Sequence, residues 1–292
     1  MQDPRTPALL IPFVIALLVT WLGLMLAGRG KAADFWPALG LAAAVAVSLW
    51  VILGALSFPP QGAVEKLAYI VGAGALAGVL MELIGGPRGL RLLALVWPWL
   101  VVGWIAWPKL QGLDWHVMAL AAGVSLAGSI VMAQLWESRG GAGGFLLVVA
   151  ALALGGVALY DASFAMARVM APLGAGLAGA ALGAWASAGG RGFPLGGALL
   201  VAGGGLCVAQ AAILLLYTPA SVWPVAFLIP LFFAEIMASR VAGSGGGVNR
   251  IFRIAALLIR DLLRMRVELV PNLIPRSGRT SASRRRGGGL RG

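Results

Sequence analysis

The stretch PLGGALLVAGGGLCVAQAAILLLY, residues 194–217, holds no charged side chain, and Gln210 is its one amide. Roughly 20 apolar residues in helical form cross about 30 Å of hydrocarbon. A run of this length and character reads as a transmembrane helix. In lipid the backbone must satisfy its own hydrogen bonds, and a helix does so internally.

The same reading repeats outward from it. Apolar segments near the spanning length occupy 8–28, 35–57, 66–84, 90–107, 115–136, 143–160, 164–187, 194–217 and 220–239. Short connectors with turn chemistry separate them, such as Pro59-Pro60, Gly85-Gly86-Pro87 and Gly189-Gly190. Trp36, Trp97, Trp107, Trp115, Trp136, Tyr217 and Trp223 gather near the expected ends, where amphipathic rings favour the headgroup level. The expected fold class is all-α, a polytopic transmembrane helical bundle of about nine spans. Composition agrees: 60% of the 292 residues are hydrophobic and 11% charged, against roughly 25% charged in a soluble domain. There are 43 glycines, and small residues let membrane helices approach closely.

Charge supplies the orientation. The net charge is +12, and 12 of the 22 Lys and Arg lie from Arg240 onward. A cytoplasmic C-terminus after nine spans leaves the N-terminus outside. Arg29, Lys31, Arg88, Arg91, Arg139 and Arg191 then lie in inside loops, and Arg5, Lys66 and Lys109 outside. The location expected is the inner (plasma) membrane. The first segment exceeds the roughly 7–15 residues of a signal-peptide core, so it reads as a span. Asp161 and Arg168 interrupt 143–187, which reads as two helices joined at Asp161, with a re-entrant piece as the alternative. Seven residues apart, Asp161 and Arg168 are candidates to pair with each other.

The chain divides into a transmembrane domain, 1–240, a basic amphipathic cytoplasmic helix, 241–270, and a disordered basic tail, 271–292. Within the first, the glycine-rich 72–78 echoes 174–179, and 85–89 echoes 189–192. These echoes suggest parallel four-helix halves, 35–139 and 143–240. Over 248–266, Arg250, Arg253, Arg260 and Arg264 share one helical face and aliphatic residues the other. That pattern suits a helix in the membrane surface, arginines toward anionic headgroups. Packing on the protein's own loops is the alternative. Beyond the bilayer and its lipids, a membrane-protein partner or a second copy is open. No nucleic-acid partner is expected, because the charge sits beside a lipid-like chain.

Chemistry is sparse. One cysteine, Cys207, and one histidine, His116, leave no thiolate cluster and no bis-histidine site, so no metal or other cofactor is expected. No Gly-x-Ser-Gly, His-Glu-x-x-His or phosphate-loop motif occurs, and no catalytic residue is assigned. The candidate binding residues are the intramembrane polar ones, Glu235, Glu82, Gln210 and Gln134, since an ionisable group in hydrocarbon is costly. Glu235 follows Pro224 and Pro230, and it reads as a proton- or cation-linked carboxylate or as a boundary residue paired with Arg240. The stripes Ala171, Ala175, Gly179, Gly183 and Gly74, Gly78 predict close helix contacts, within the chain or between copies. The function expected first is a permease-like carrier of a small apolar or amphipathic substrate. The alternatives are a non-catalytic scaffold or assembly factor for partner membrane proteins, and a lipid-modifying enzyme.

Overall fold

The computed structural model describes residues 5–27, 35–54, 57–138, 142–187 and 195–233. Glu235, Arg240, the helix expected at 248–266 with its four arginines, and 271–292 lie outside the described residues. Regular structure among the described residues is helical: α1 Arg5–Ala27, α2 Phe35–Leu53, α3 Lys66–Leu80, α4 Gly86–Leu110, α5 Trp115–Glu137, α6 Gly143–Val157, α7 Phe164–Ser187, α8 Gly197–Tyr217 and the short α9 Val222–Ala226. One π-helical turn, Met81–Gly85, extends α3, and another, Ala158–Ala162, extends α6.

The opening stretch is α8, and it is the core. Of its most apolar window 94% is buried, against 22% for α1. The reason lies in Gly203-Gly204-Gly205. Successive helical residues point about 100° apart, so three adjacent glycines clear three directions. A Cβ on Gly203 would lie 3.1 Å from Leu177 of α7 and 3.4 Å from Leu147 of α6. One on Gly204 would strike Met132 of α5, and one on Gly205 the indole of Trp97 on α4. Lipid tails are as apolar as leucine, so helix association depends on such close packing rather than on escape from water.

The close contacts also give the direction of each helix. Gly78 meets Ala198 and Gly74 meets Ala202, so α3 runs antiparallel to α8. Leu90 meets Gly197 and Trp97 meets Gly205, so α4 runs parallel to it. Gly128 of α5 lies against Pro98 and Val208. Gly174 of α7 lies against Ala151 and Leu152, and Gly179 lies against Phe13 and Ala16 of α1. From α1 to α8 every helix opposes the one before it. The starts of α2, α4, α6 and α8 therefore share one level of the bundle with the ends of α1, α3, α5 and α7.

Among the described residues, seven helical stretches are long and apolar enough to cross a membrane, against the nine read from sequence. Two things lower the count. The segments expected at 66–84 and 90–107 fall in one stretch, Lys66–Leu110. It folds back at Gly86, whose φ of 58° suits glycine, just before Pro87. The segment expected at 220–239 is described only as far as Phe233, and Val222–Phe233 is shorter than a span. The second span stops at Leu53 rather than 57, because Gly54 takes φ 86° and donates its N–H to Trp50 O at 2.9 Å, a left-handed cap. The 143–187 region is two helices, with the chain extended at Ser163 between them.

Trp97 is not interfacial as read. It is 9% exposed, packed against Gly74 and Gly205, because both neighbours lack a side chain there. The stripe residues Gly179 and Gly183 receive α1, and Gly74 and Gly78 receive α8, so both stripes serve internal contacts.

A pair of alanine substitutions on α3 tests the packing. At Gly78 a Cβ would sit 2.5 Å from the Ala198 backbone, whereas at Gly72 nothing lies within 4 Å. Gly78→Ala should destabilise the detergent-solubilised protein by about 1–3 kcal/mol in reversible unfolding. Gly72→Ala should be neutral or stabilising by up to about 1 kcal/mol. Equal effects would contradict the α3–α8 contact.

Candidate functional site

The polar residues singled out from sequence do not converge. Gln210 is fully buried on α8 and donates from Nε2 to Met170 O at 3.3 Å, which ties α8 to α7. Its Oε1 has no partner among the described residues. Gln134 lies near the end of α5, at the opposite end of the bundle from Tyr217, and its Nε2 likewise lacks a described partner. Glu82 sits in the π-helical turn after α3, half-buried, with Oε1 against Gly197, the first residue of α8. A carboxylate there faces the unpaired N–H groups and positive end of the helix. Asp161 takes the backbone N–H of Ser221 at 2.6 Å instead of pairing with Arg168. Seven-residue spacing brings two side chains together on one helix, but the reversal at Ser163 puts these two on different helices.

His116 belongs to the N-terminal cap of α5: its N–H donates to Asp114 Oδ1 at 2.9 Å and its ring stacks on Trp115 at 3.7 Å between centroids. Two lysines lock the level at the C-terminal end of α8. Lys66 Nζ donates to Trp104 O at 2.8 Å and lies 5.6 Å from that ring's centroid. Lys109 Nζ donates to Leu216 O and lies 4.9 Å from the Tyr217 ring, while the Tyr217 hydroxyl donates to Ile105 O at 2.8 Å. These bonds satisfy helix carbonyls and keep ammonium groups near the headgroup level. Each of these polar groups is engaged with backbone or neighbouring rings.

The candidate site is apolar. A cleft of about 260 Å³ lies between α5 and α6, with α8 as its floor and residues 222–232 as a further wall. Ala119, Gly123 and Ala127 line it from α5, Leu147, Ala150 and Leu154 from α6, and Gly204, Cys207 and Val208 from α8. Every lining side chain is aliphatic, aromatic or a thiol, and none of Glu82, Gln134 and Gln210 is among them. A dry cavity of about 150 Å³ already holds a benzene ring, so this one suits a larger ring system or a short hydrocarbon chain. Gly123 is exposed and a Cβ there would have nothing within 4 Å, so the cleft is open on the α5 side. The signal in the sequence was the four-residue spacing of Ala119, Gly123 and Ala127. Such spacing marks a groove, but only the neighbours decide whether a helix fills it.

The level at the C-terminal end of α8 carries one pH-responsive contact. Glu65 accepts from the Ser57 hydroxyl at 2.6 Å and the Gln61 N–H at 2.9 Å, and Tyr69 Oη donates to Ser57 O at 2.8 Å. The Ser57 bond first, then the backbone N–H groups, hold the Glu65 carboxyl below its ordinary value of 4.5. A depressed acid contributes stability that is present above its ordinary value and lost as pH falls below it. The thermal midpoint in detergent should therefore fall more between pH 5 and 3 for the wild type than for Glu65→Gln. Parallel curves would exclude this role.

Comparison of the chain with protein-family models, with curated proteins and with solved structures found no match.

Proposed function

We propose that the chain is a multi-pass plasma-membrane protein that works as a permease-like carrier of a small apolar or amphipathic molecule. The observation that carries this reading is the half-open cleft between α5 and α6. In a bilayer its opening faces hydrocarbon, so a lipid-soluble ligand enters without crossing a polar barrier. An apolar lining with no charged side chain favours such a ligand over a sugar or an ion. The scaffold reading draws on the small-residue stripes and the basic surface helix, and the glycines of these stripes meet neighbouring helices within the chain.

In this proposal the level holding the N-terminus of α8 is cytoplasmic. The connections at that level carry Arg29, Lys31, Arg139 and Arg191, and the start of α4 there carries Arg88 and Arg91, which fits the positive-inside bias. The N-terminus is then outside, and a ninth pass over 220–239 returns the chain so that the basic tail is cytoplasmic. The tail helix rests its arginines on anionic lipid, at about 1 kcal/mol for each. Neutralising Arg250, Arg253, Arg260 and Arg264 in a 248–270 peptide should lower its partition into anionic liposomes by roughly several hundredfold. Unchanged partition would defeat the electrostatic part.

The cleft is tested with a diazirine-bearing palmitic acid in proteoliposomes. Photolabel should concentrate on peptides of α5, α6 and α8, and Gly123→Phe, which fills the cleft, should reduce it at least about fivefold. Gly72→Phe on the open surface of α3 should not. If label is spread evenly over lipid-facing positions such as Leu92 and Trp99, or ignores Gly123→Phe, the cleft is not the binding site.

A further inference from the structure

We propose that residues 218–232 form a strap that opens and closes this cleft, and that Asp161 is its latch. The proposal rests on the reading of the cleft as a binding site. The strap forms one whole wall, through Val222, Val225, Leu228, Ile229 and Phe232, so its position sets the width of the cleft.

The strap is lightly packed at its α9 end and anchored in the core at the other. No residue of α9 is buried, and Trp223 and Phe227 are 72% and 76% exposed. Phe232, at the far end, is 5% exposed and packed into the core. Between them the helix breaks into a turn at Phe227-Leu228. Pro230 accounts for the break: it has no N–H to donate to the carbonyl of Ala226, and its ring crowds that carbonyl. A short helix joined to its anchor by a proline break is a hinge.

The end that leaves α8, where Thr218 bonds back to Leu214 O, is tied across to α6 by a charge-assisted hydrogen bond. Asp161 Oδ2 accepts the N–H of Ser221 at 2.6 Å, and Ser221 is the N-cap residue of α9. Asp161 belongs to the π-helical turn that ends α6, itself a wall of the cleft. One carboxylate thus joins the wall to the strap across 60 residues of sequence. The wider π turn redirects a side chain from the path it would follow in an α-helix, and here it turns Asp161 toward the strap.

The chain carries its own reporter. Cys207 is its sole cysteine, lines the cleft and is buried, with Sγ 3.8 Å from Leu147 O. Methylmercury chloride is small and apolar. It forms a sulfur–mercury bond with the thiol and releases the proton and chloride as HCl. The measurement is the rate of this reaction on the full chain in proteoliposomes, followed by intact mass. Asp161→Ala should raise the rate about tenfold or more, the consequence of deleting a charged acceptor. Ser221→Pro removes the same bond from the donor side, and the φ of −65° at Ser221 already fits proline. It should raise the rate similarly, whereas Ser221→Ala, which keeps the N–H, should leave it near wild type. Asp161→Asn keeps an acceptor oxygen and should give a smaller rise than Asp161→Ala.

Gly123→Phe separates the outcomes. It should slow labelling in the wild type and also in the Asp161→Ala background, since plugging the cleft does not protect an unfolded chain. If Gly123→Phe slows labelling but Asp161→Ala and Ser221→Pro do not speed it, the latch is wrong and the cleft stands. If Gly123→Phe has no effect in the wild type, the cleft reading itself fails. Should Asp161→Ala not fold, Ser221→Pro against Ser221→Ala decides the latch alone.

Discussion

Gly203, Gly204 and Gly205 leave α8 without side chains in three consecutive directions, and the rest of the bundle is arranged around that lack. Six neighbouring residues, Leu41, Ile70, Trp97, Met132, Leu147 and Leu177, reach the space the glycines leave. They come from six different helices. In water such a helix would be weak, because glycine leaves the unfolded chain too much freedom. In lipid the internal hydrogen bonds are enforced by the solvent, and the gain from close approach outweighs the loss of propensity. The outer helices show the complementary face. Leu92, Trp99, Leu100 and Leu126 are exposed, which is how a membrane solvates the outside of a bundle.

Among the described residues the charged groups gather at the two ends, while Gln210 ties α8 to α7 between them. At one level Glu82 meets the start of α8, and Arg91 pairs with Glu137 at 3.3 Å on the surface. At the other, Lys66, Lys109 and Tyr217 occupy backbone carbonyls, and Asp114 and Ser221 cap helices. Both π-helical turns lie at these levels and each delivers a carboxylate to the start of a later helix, Glu82 to α8 and Asp161 to α9. The extra residue in a π turn lets a helix end in register with its own core face while an acidic side chain points elsewhere. Neither contact is visible as a pair in the sequence, since the partners are about 115 and 60 residues apart.

The cleft is where the packing rule of the core is not met. Ala119, Gly123 and Ala127 offer the same small-residue surface that α7 offers to α1, yet α6 does not fill it, and the strap closes only part of it. Gly179 and Gly123 would look alike on a helical wheel. What separates them is that Phe13 and Ala16 stand against one and open space against the other. α4 and α8 run parallel in different environments: α8 is enclosed on nearly all sides, while α4 keeps a face with Leu92, Val96 and Trp99 exposed.

The sequence by itself determined the solvent, the helical class and where most helices lie. Hydrocarbon thickness demands runs of roughly 20 apolar residues, and a run such as 194–217 has no other stable form in a bilayer. It also determined that the basic connectors alternate with less basic ones, because helices that cross in turn place every second connector on the same side. Which small residue meets a neighbour and which faces a cleft came only from the tertiary structure. So did the burial of Trp97, the absence of an Asp161–Arg168 pair, and the choice of Ser221 as Asp161's partner. The physical reason is that lipid treats a small apolar side chain and the hydrocarbon around it as nearly equivalent. Composition then carries little information about facing, and the shape of the adjoining helix decides it.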